Sequence, residues 1–81
     1  MEIGMLWFDD DPKRDLREKV KRAAAHYERK YGLKPNVCYV HPGMLGGNGQ
    51  RRRLRADGVE IRAGRAIPPH HLWVGIDELT H

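Results

Sequence analysis

The chain of 81 residues contains no serine, a single threonine (Thr80), a single glutamine (Gln50) and a single cysteine (Cys38). The lack of serine excludes catalysis through a serine nucleophile. One cysteine makes no intrachain disulfide and leaves no paired-cysteine zinc pattern, so a cytoplasmic setting is expected. Long hydrophobic runs are missing too. The apolar opening, Met1 to Phe8, has no basic leader and runs into three aspartates. It is too short for a signal peptide or a membrane span, so no membrane contact is expected. Bases are absent from both flanks: residues 1–12 and 66–81 carry six acids and no lysine or arginine. All fifteen lysines and arginines lie between Lys13 and Arg65, among five acids, for a net charge of +4. Folding can turn such a split into one surface suited to anions and one suited to cations. Ten of the bases are arginines, which suits a thermophile and a GC-rich genome equally.

What is present suffices for one small domain over residues 1–81. Residues 2–8 end at acids and predict a buried strand. Asp11-Pro12 has the order of an N-cap and first helical residue. From there Leu16, Val20, Ala23, Ala24, Tyr27 and Tyr31 form one stripe of an amphipathic helix, closed by Gly32. A helix over 12–31 is therefore expected. Val37-Cys38-Tyr39-Val40 predicts a second short strand, parallel to the first because a helix intervenes. The glycine-rich stretch 42–50 reads as a mobile loop. Residues 53–55 and 59–62 alternate around Ala56-Asp57-Gly58, the pattern of a hairpin that turns Leu54, Val59 and Ile61 inward and the arginines and Glu60 outward. Residues 71–76, after Pro68-Pro69, predict a last strand.

The expected fold is an α/β two-layer sandwich: a mixed sheet of four or five strands with one helix on one face, in the order β-α-β-β-β-β. Alternation puts Met5 and Trp7 opposite Leu6 and Phe8, Leu72 and Val74 opposite Trp73, and Val37 and Tyr39 opposite Cys38 and Val40. Both faces are thus apolar, and one helix covers only one of them. A second copy, a partner protein, loops or a ligand must meet the other. A homodimer is the expectation, with Trp7, Trp73 and Tyr39 as interface anchors. On an open face the same rings could instead stack bases.

Two constellations carry candidate chemistry. Arg51, Arg52, Arg53 and Arg55 follow a glycine-rich loop with no acid before Asp57, and arginine forks suit phosphate. Arg14, Arg17 and Lys21 add a basic helical ridge, although such residues are also ordinary solvated partners of Asp15 and Glu18. The second constellation is Asp9, Asp10, His41, His70 and His71. If the last strand is antiparallel to the first two, these residues share one sheet edge and could hold Mg²⁺ or Mn²⁺. Helix capping by the aspartates is the competing explanation. Cys38, inside a strand, should be inert.

The opening resembles the small ferredoxin-like CRISPR-associated nucleases in Trp7-Phe8-Asp9, the Lys13-Arg14 pair and Tyr31-Gly32. Those residues span less than half of the chain. The resemblance implies a second helix, for which residues 42–81 offer no pattern. The reading that the residues support best is a small basic module that binds DNA, RNA or another polyanion. Its alternatives are a metal-dependent phosphodiesterase and a subunit that docks a protein partner on the uncovered sheet face.

Overall fold

The computed structural model describes residues 4–45 and 54–77. The chain runs β1 (Gly4–Phe8), α1 (Leu16–Tyr31), β2 (Val37–Val40), β3 (Leu54–Ala56), β4 (Val59–Ala63) and β5 (His71–Gly75). One helix packs on one face of a five-stranded mixed sheet, the two-layer α/β arrangement expected. The spatial order is β1-β5-β2-β4-β3. β5 is antiparallel to both of its neighbours, β4 is parallel to β2, and β3 is antiparallel to β4. β1 and β2 therefore point the same way, with β5 inserted between them. Among the described residues α1 is the single α-helix.

Register explains the core. Met5, Val74, Cys38, Ile61 and Leu54 lie side by side across all five strands, and Trp7, Leu72 and Val40 form the neighbouring row. α1 sets Val20, Ala23, Ala24 and Tyr27 onto this face, all buried. The paired alanines allow close approach, and Tyr27 fills the remaining depth. Each fully buried valine or leucine here contributes roughly 1.5–3 kcal/mol.

The helix starts one turn later than Asp11-Pro12 suggests. Asp15 is its N-cap, with extended backbone (φ −79°, ψ 174°) and a side chain that accepts from the Glu18 N–H at 2.8 Å. Asp11 instead closes a turn, accepting from the Lys13 N–H at 2.9 Å. Its own N–H donates to Asp9 at 3.0 Å. Two Asp signals competed, and the second one, Asp15-Leu16-Arg17-Glu18, prevailed because the first is tied back to the strand end. Asp15→Ala should therefore cost about 1 kcal/mol in urea denaturation. An unchanged urea midpoint would mean that Asp15 does not hold the helix start. At the other end Gly32 closes the helix with φ 75°, as expected.

The β3–β4 hairpin turns on two residues, Asp57 (φ 54°) and Gly58 (φ 80°). Two consecutive positive φ values match the right-handed twist of the flanking strands. The 42–50 segment is not all irregular loop. Pro42–Met44 is a 3₁₀ turn capped by His41, whose Nδ1 accepts from the Gly43 N–H at 2.9 Å. Residues 46–50 of that segment lie outside the described residues.

Candidate functional site

The sheet face opposite α1 carries three transverse rows of residues. The central row is Leu6, Trp73, Tyr39 and Arg62, on β1, β5, β2 and β4. Above it lie Phe8 and His71. Below it lie Gly4, Gly75, Val37, Glu60 and Arg55, the last two turned outward as expected. Leu6 is 53% exposed and Phe8 56%. These two large apolar side chains leave the β1 side of the face open among the described residues, whereas Val37 on the same face is buried.

The rings on this face are organised. Phe8 and His71 lie 5.0 Å apart between centroids, and Tyr39 and Trp73 6.1 Å apart, both pairs tilted. The Trp73 indole occupies the space above Gly4, where an added Cβ would fall 1.6 Å from a ring carbon. Only glycine lets the indole lie over β1 in this way. Beside the rings, the loop after β4 walls a depression of about 400 Å³ lined by Tyr39, Trp73, Gly64, Arg65, Ala66 and Ile67.

Arg62 anchors the platform. It donates to the Tyr39 hydroxyl at 3.1 Å, to Asp77 at 2.8 Å and to Glu60 at 3.0 Å. Glu60, Tyr39 and Asp77 together hold its pKa above the usual arginine range. Asp77 is further pinned to Asn36, through the Asp77 N–H to the Asn36 side chain at 2.8 Å and the Asn36 amide to the Asp77 carbonyl at 3.2 Å.

The interface trio expected from the sequence is split. Trp73 and Tyr39 share the open face, but Trp7 lies on the helix side, 4.7 Å from the His26 ring. One-residue alternation along β1 separates Trp7 from Trp73, whose register partner is Leu6. In the basic constellation, Arg55 is exposed on β3, Arg17 and Lys21 are exposed on α1, and Arg51, Arg52 and Arg53 lie outside the described residues. Arg14 does not join the helical ridge. It precedes the helix and bridges Asp9 at 3.1 Å and Asp11 at 3.4 Å. Two cross-links join the acidic flanks to the basic middle, Arg14 with Asp9 and Arg62 with Asp77.

The strand directions bring the metal constellation to one sheet edge: Phe8 pairs with His71, and the Asp9 N–H donates to the His70 carbonyl at 2.9 Å. Three of the five side chains are otherwise engaged. The Asp9 carboxylate takes Arg14 and the Asp11 N–H. His41 caps the 3₁₀ turn, and His71 Nδ1 lies 2.8 Å from the Pro69 carbonyl. Among the described residues no three His, Cys, Asp or Glu side chains come together as a metal would require. Cys38 is fully buried, and burial pushes its thiol up to about 12, in keeping with an inert core residue. No described helix is long and apolar enough to cross a membrane.

Burial by itself would raise the Asp9 pKa. The Asp11 N–H and the Arg14 guanidinium outweigh it and hold the carboxyl below its ordinary value of 3.8. A folded-state pKa below the unfolded one stabilises the native state above pH 3.8, and this contribution is lost as the pH falls through the lowered value. Asp9→Asn should therefore flatten the acid limb of the stability–pH curve below that point. An acid limb as steep as in the wild type would exclude Asp9 as its source.

Phe8 is the residue that aromatic counting in the sequence passed over. Its signal was the alternation that sets it opposite Trp7. No protein-family model matches the chain, and no curated protein or solved structure shows significant similarity to it.

Proposed function

We propose that the protein binds single-stranded nucleic acid across its open sheet face. The observation that carries this reading is the row of half-buried Trp73 and Tyr39, with half-buried His71 and the exposed Phe8 ring beside it, on the face opposite α1. Successive strands lie about 4.8 Å apart, so rings on β1, β5 and β2 present a platform for two or three bases. Stacking on such rings contributes about 1–3 kcal/mol per base and tolerates any sequence. Arg55 and Arg65 border the platform, and Arg51–Arg53 lead directly into β3, the edge strand. These arginines supply the phosphate contacts.

Titration with labelled oligonucleotides tests the reading. Single strands should quench tryptophan fluorescence, and log affinity should fall with log salt by about 0.7 per phosphate contact. Duplex DNA and heparin should compete poorly, since neither offers a free base to stack. Equal binding of heparin would reduce the protein to a general polyanion binder. No retention of a single strand at about 50 mM salt, where phosphate contacts are strong, would end the proposal. A cytoplasmic setting goes with this reading, in line with a lone buried thiol.

A second reading is that the same face docks a second copy of the chain. It is favoured by Leu6 and Phe8, more than half exposed on an edge strand whose residues 4–8 carry no charge. Light scattering separates the two: a 9.4 kDa species that binds oligonucleotides supports the first, and a species of twice that mass that binds none supports the second.

A further inference from the structure

A cleft of about 750 Å³ opens where the strand end and the 9–12 segment face α1. That size lies within the range of small-ligand sites, roughly 300–1,000 Å³. Its walls differ in charge. The helix wall presents Arg22 and Arg29 with Ala25 between them. Seven residues apart, the two arginines share one helix face and stand about 10 Å apart along the axis. Both are exposed, and neither makes an ion pair among the described residues. The opposite wall presents Asp9, Asp10 and Asp11. Asp9 and Asp11 are held by Arg14 and by backbone N–H groups, whereas Asp10 is exposed and has no hydrogen-bond partner among the described residues. The Phe8 ring and Trp7 supply the apolar lining. Trp7 also keeps a buried indole N–H with no acceptor, the single such side-chain atom among the described residues.

We infer that this cleft seats one nucleotide of the bound strand. The base lies against Phe8 and donates its exocyclic amino group to Asp10, while the flanking phosphates meet Arg22 and Arg29. A simple anion satisfies the helix wall and is repelled by Asp10. A simple cation does the reverse. A nucleotide has an amino donor at one end and phosphate at the other, and so matches both walls. Phe8 ties this cleft to the open face, because it lines the cleft and also pairs with His71 on the platform. A strand leaving Trp73 therefore turns around the β1 edge toward the helix arginines. Cytosine, adenine and guanine carry an amino donor, and thymine carries none. The cleft accordingly favours oligo(dC) over oligo(dT).

This inference rests on the strand-binding reading, and fluorescence anisotropy with labelled oligo(dC) and oligo(dT) of roughly eight nucleotides, a length typical of such sites, tests both. In the Arg22→Ala/Arg29→Ala variant the salt slope should fall by about 1.4, two single-strand phosphate contacts, and oligo(dC) affinity about tenfold or more. Asp10→Ala should bring the dC and dT affinities close together while leaving the slope in place. A Lys30→Ala/Lys34→Ala control removes two exposed charges outside the cleft and should change the slope by less than half as much. All these positions are exposed, so circular dichroism should show native folding in each variant. Wild-type binding with an unchanged slope and preference in the cleft variants, or an equal slope loss in the lysine control, overturns the nucleotide seat and leaves the open-face reading standing. Failure of the wild type to bind either oligonucleotide overturns both.

Discussion

Leu72→Ala should cost about 2–5 kcal/mol of folding stability, whereas Trp73→Ala, one residue further along β5, should cost about 1–2 kcal/mol. Leu72 is completely buried on the helix face, in the row with Trp7 and Val40. Truncating it removes apolar contact and leaves a cavity that α1 and the sheet cannot fully close. A domain of this length is stable by only roughly 4–12 kcal/mol, so the variant approaches the edge of folding at room temperature. Trp73 sits on the other side of the same strand, partly exposed above Gly4. Its loss uncovers β1 but opens no enclosed void. Binding should show the opposite order. Removing the Trp73 ring takes away about 1–3 kcal/mol of stacking, roughly a 5- to 150-fold loss of affinity for a single strand. Leu72→Ala, measured where it remains folded, should bind nearly as the wild type does. Urea denaturation and oligonucleotide titration on both proteins check the pair together. Equal binding losses in the two variants would mean that the open face is not the contact surface.

Arg62→Met should cost about 1.5–3 kcal/mol, a large fraction of the total. The guanidinium serves three acceptors at once, the Tyr39 hydroxyl, Asp77 and Glu60. Methionine keeps much of the side-chain volume and none of the donors. The expensive part is Asp77, whose side chain is 11% exposed and which would lose its guanidinium at a site where water reaches it poorly. Arg62→Lys should recover little, because a single ammonium cannot reproduce a fork directed at several oxygens. The functional consequence follows through Tyr39. Without the 3.1 Å bond to its hydroxyl, the ring is held by packing alone, and single-strand affinity should fall even at temperatures where the fold is intact. A denaturation midpoint within error of the wild type would show that the Arg62 network is a solvated surface contact.

Much of the fold was legible because its physics is local. The spacing of Leu16, Val20, Ala23, Ala24 and Tyr27 admits one helical face, and Gly32 ends it through a left-handed backbone. The hairpin was legible from two alternating runs around Ala56-Asp57-Gly58, and the structure shortens its turn to Asp57 and Gly58, both at positive φ, with Ala56 paired to Val59. Alternation along β1, β2 and β5 assigned every side chain to a face, and the uncovered apolar face followed from counting helices. The exact start of α1 was not legible. Asp11-Pro12 and Asp15 are both sound caps locally, and the contact of Arg14 and Asp9, made only when the loop folds back on the strand end, decides between them.

The sequence by itself determined the elements, their faces and the surplus of positive charge, because these depend on neighbours within a few residues. Tertiary structure decided which charges remain available and which rings stand together. Arg14 and Arg62 look as free as any arginine in the sequence, yet folding brings each onto an acid from a flank. Trp7 and Trp73 look equivalent, yet the placement of β5 beside β1, with Leu6 opposite Trp73, sends one indole to the core side and the other to the open face. Phe8, Arg22 and Arg29 become one cleft only because α1 passes beside the end of β1. Such juxtapositions arise from strand order and register, which are set by burying the whole apolar surface at once and by no residue acting alone.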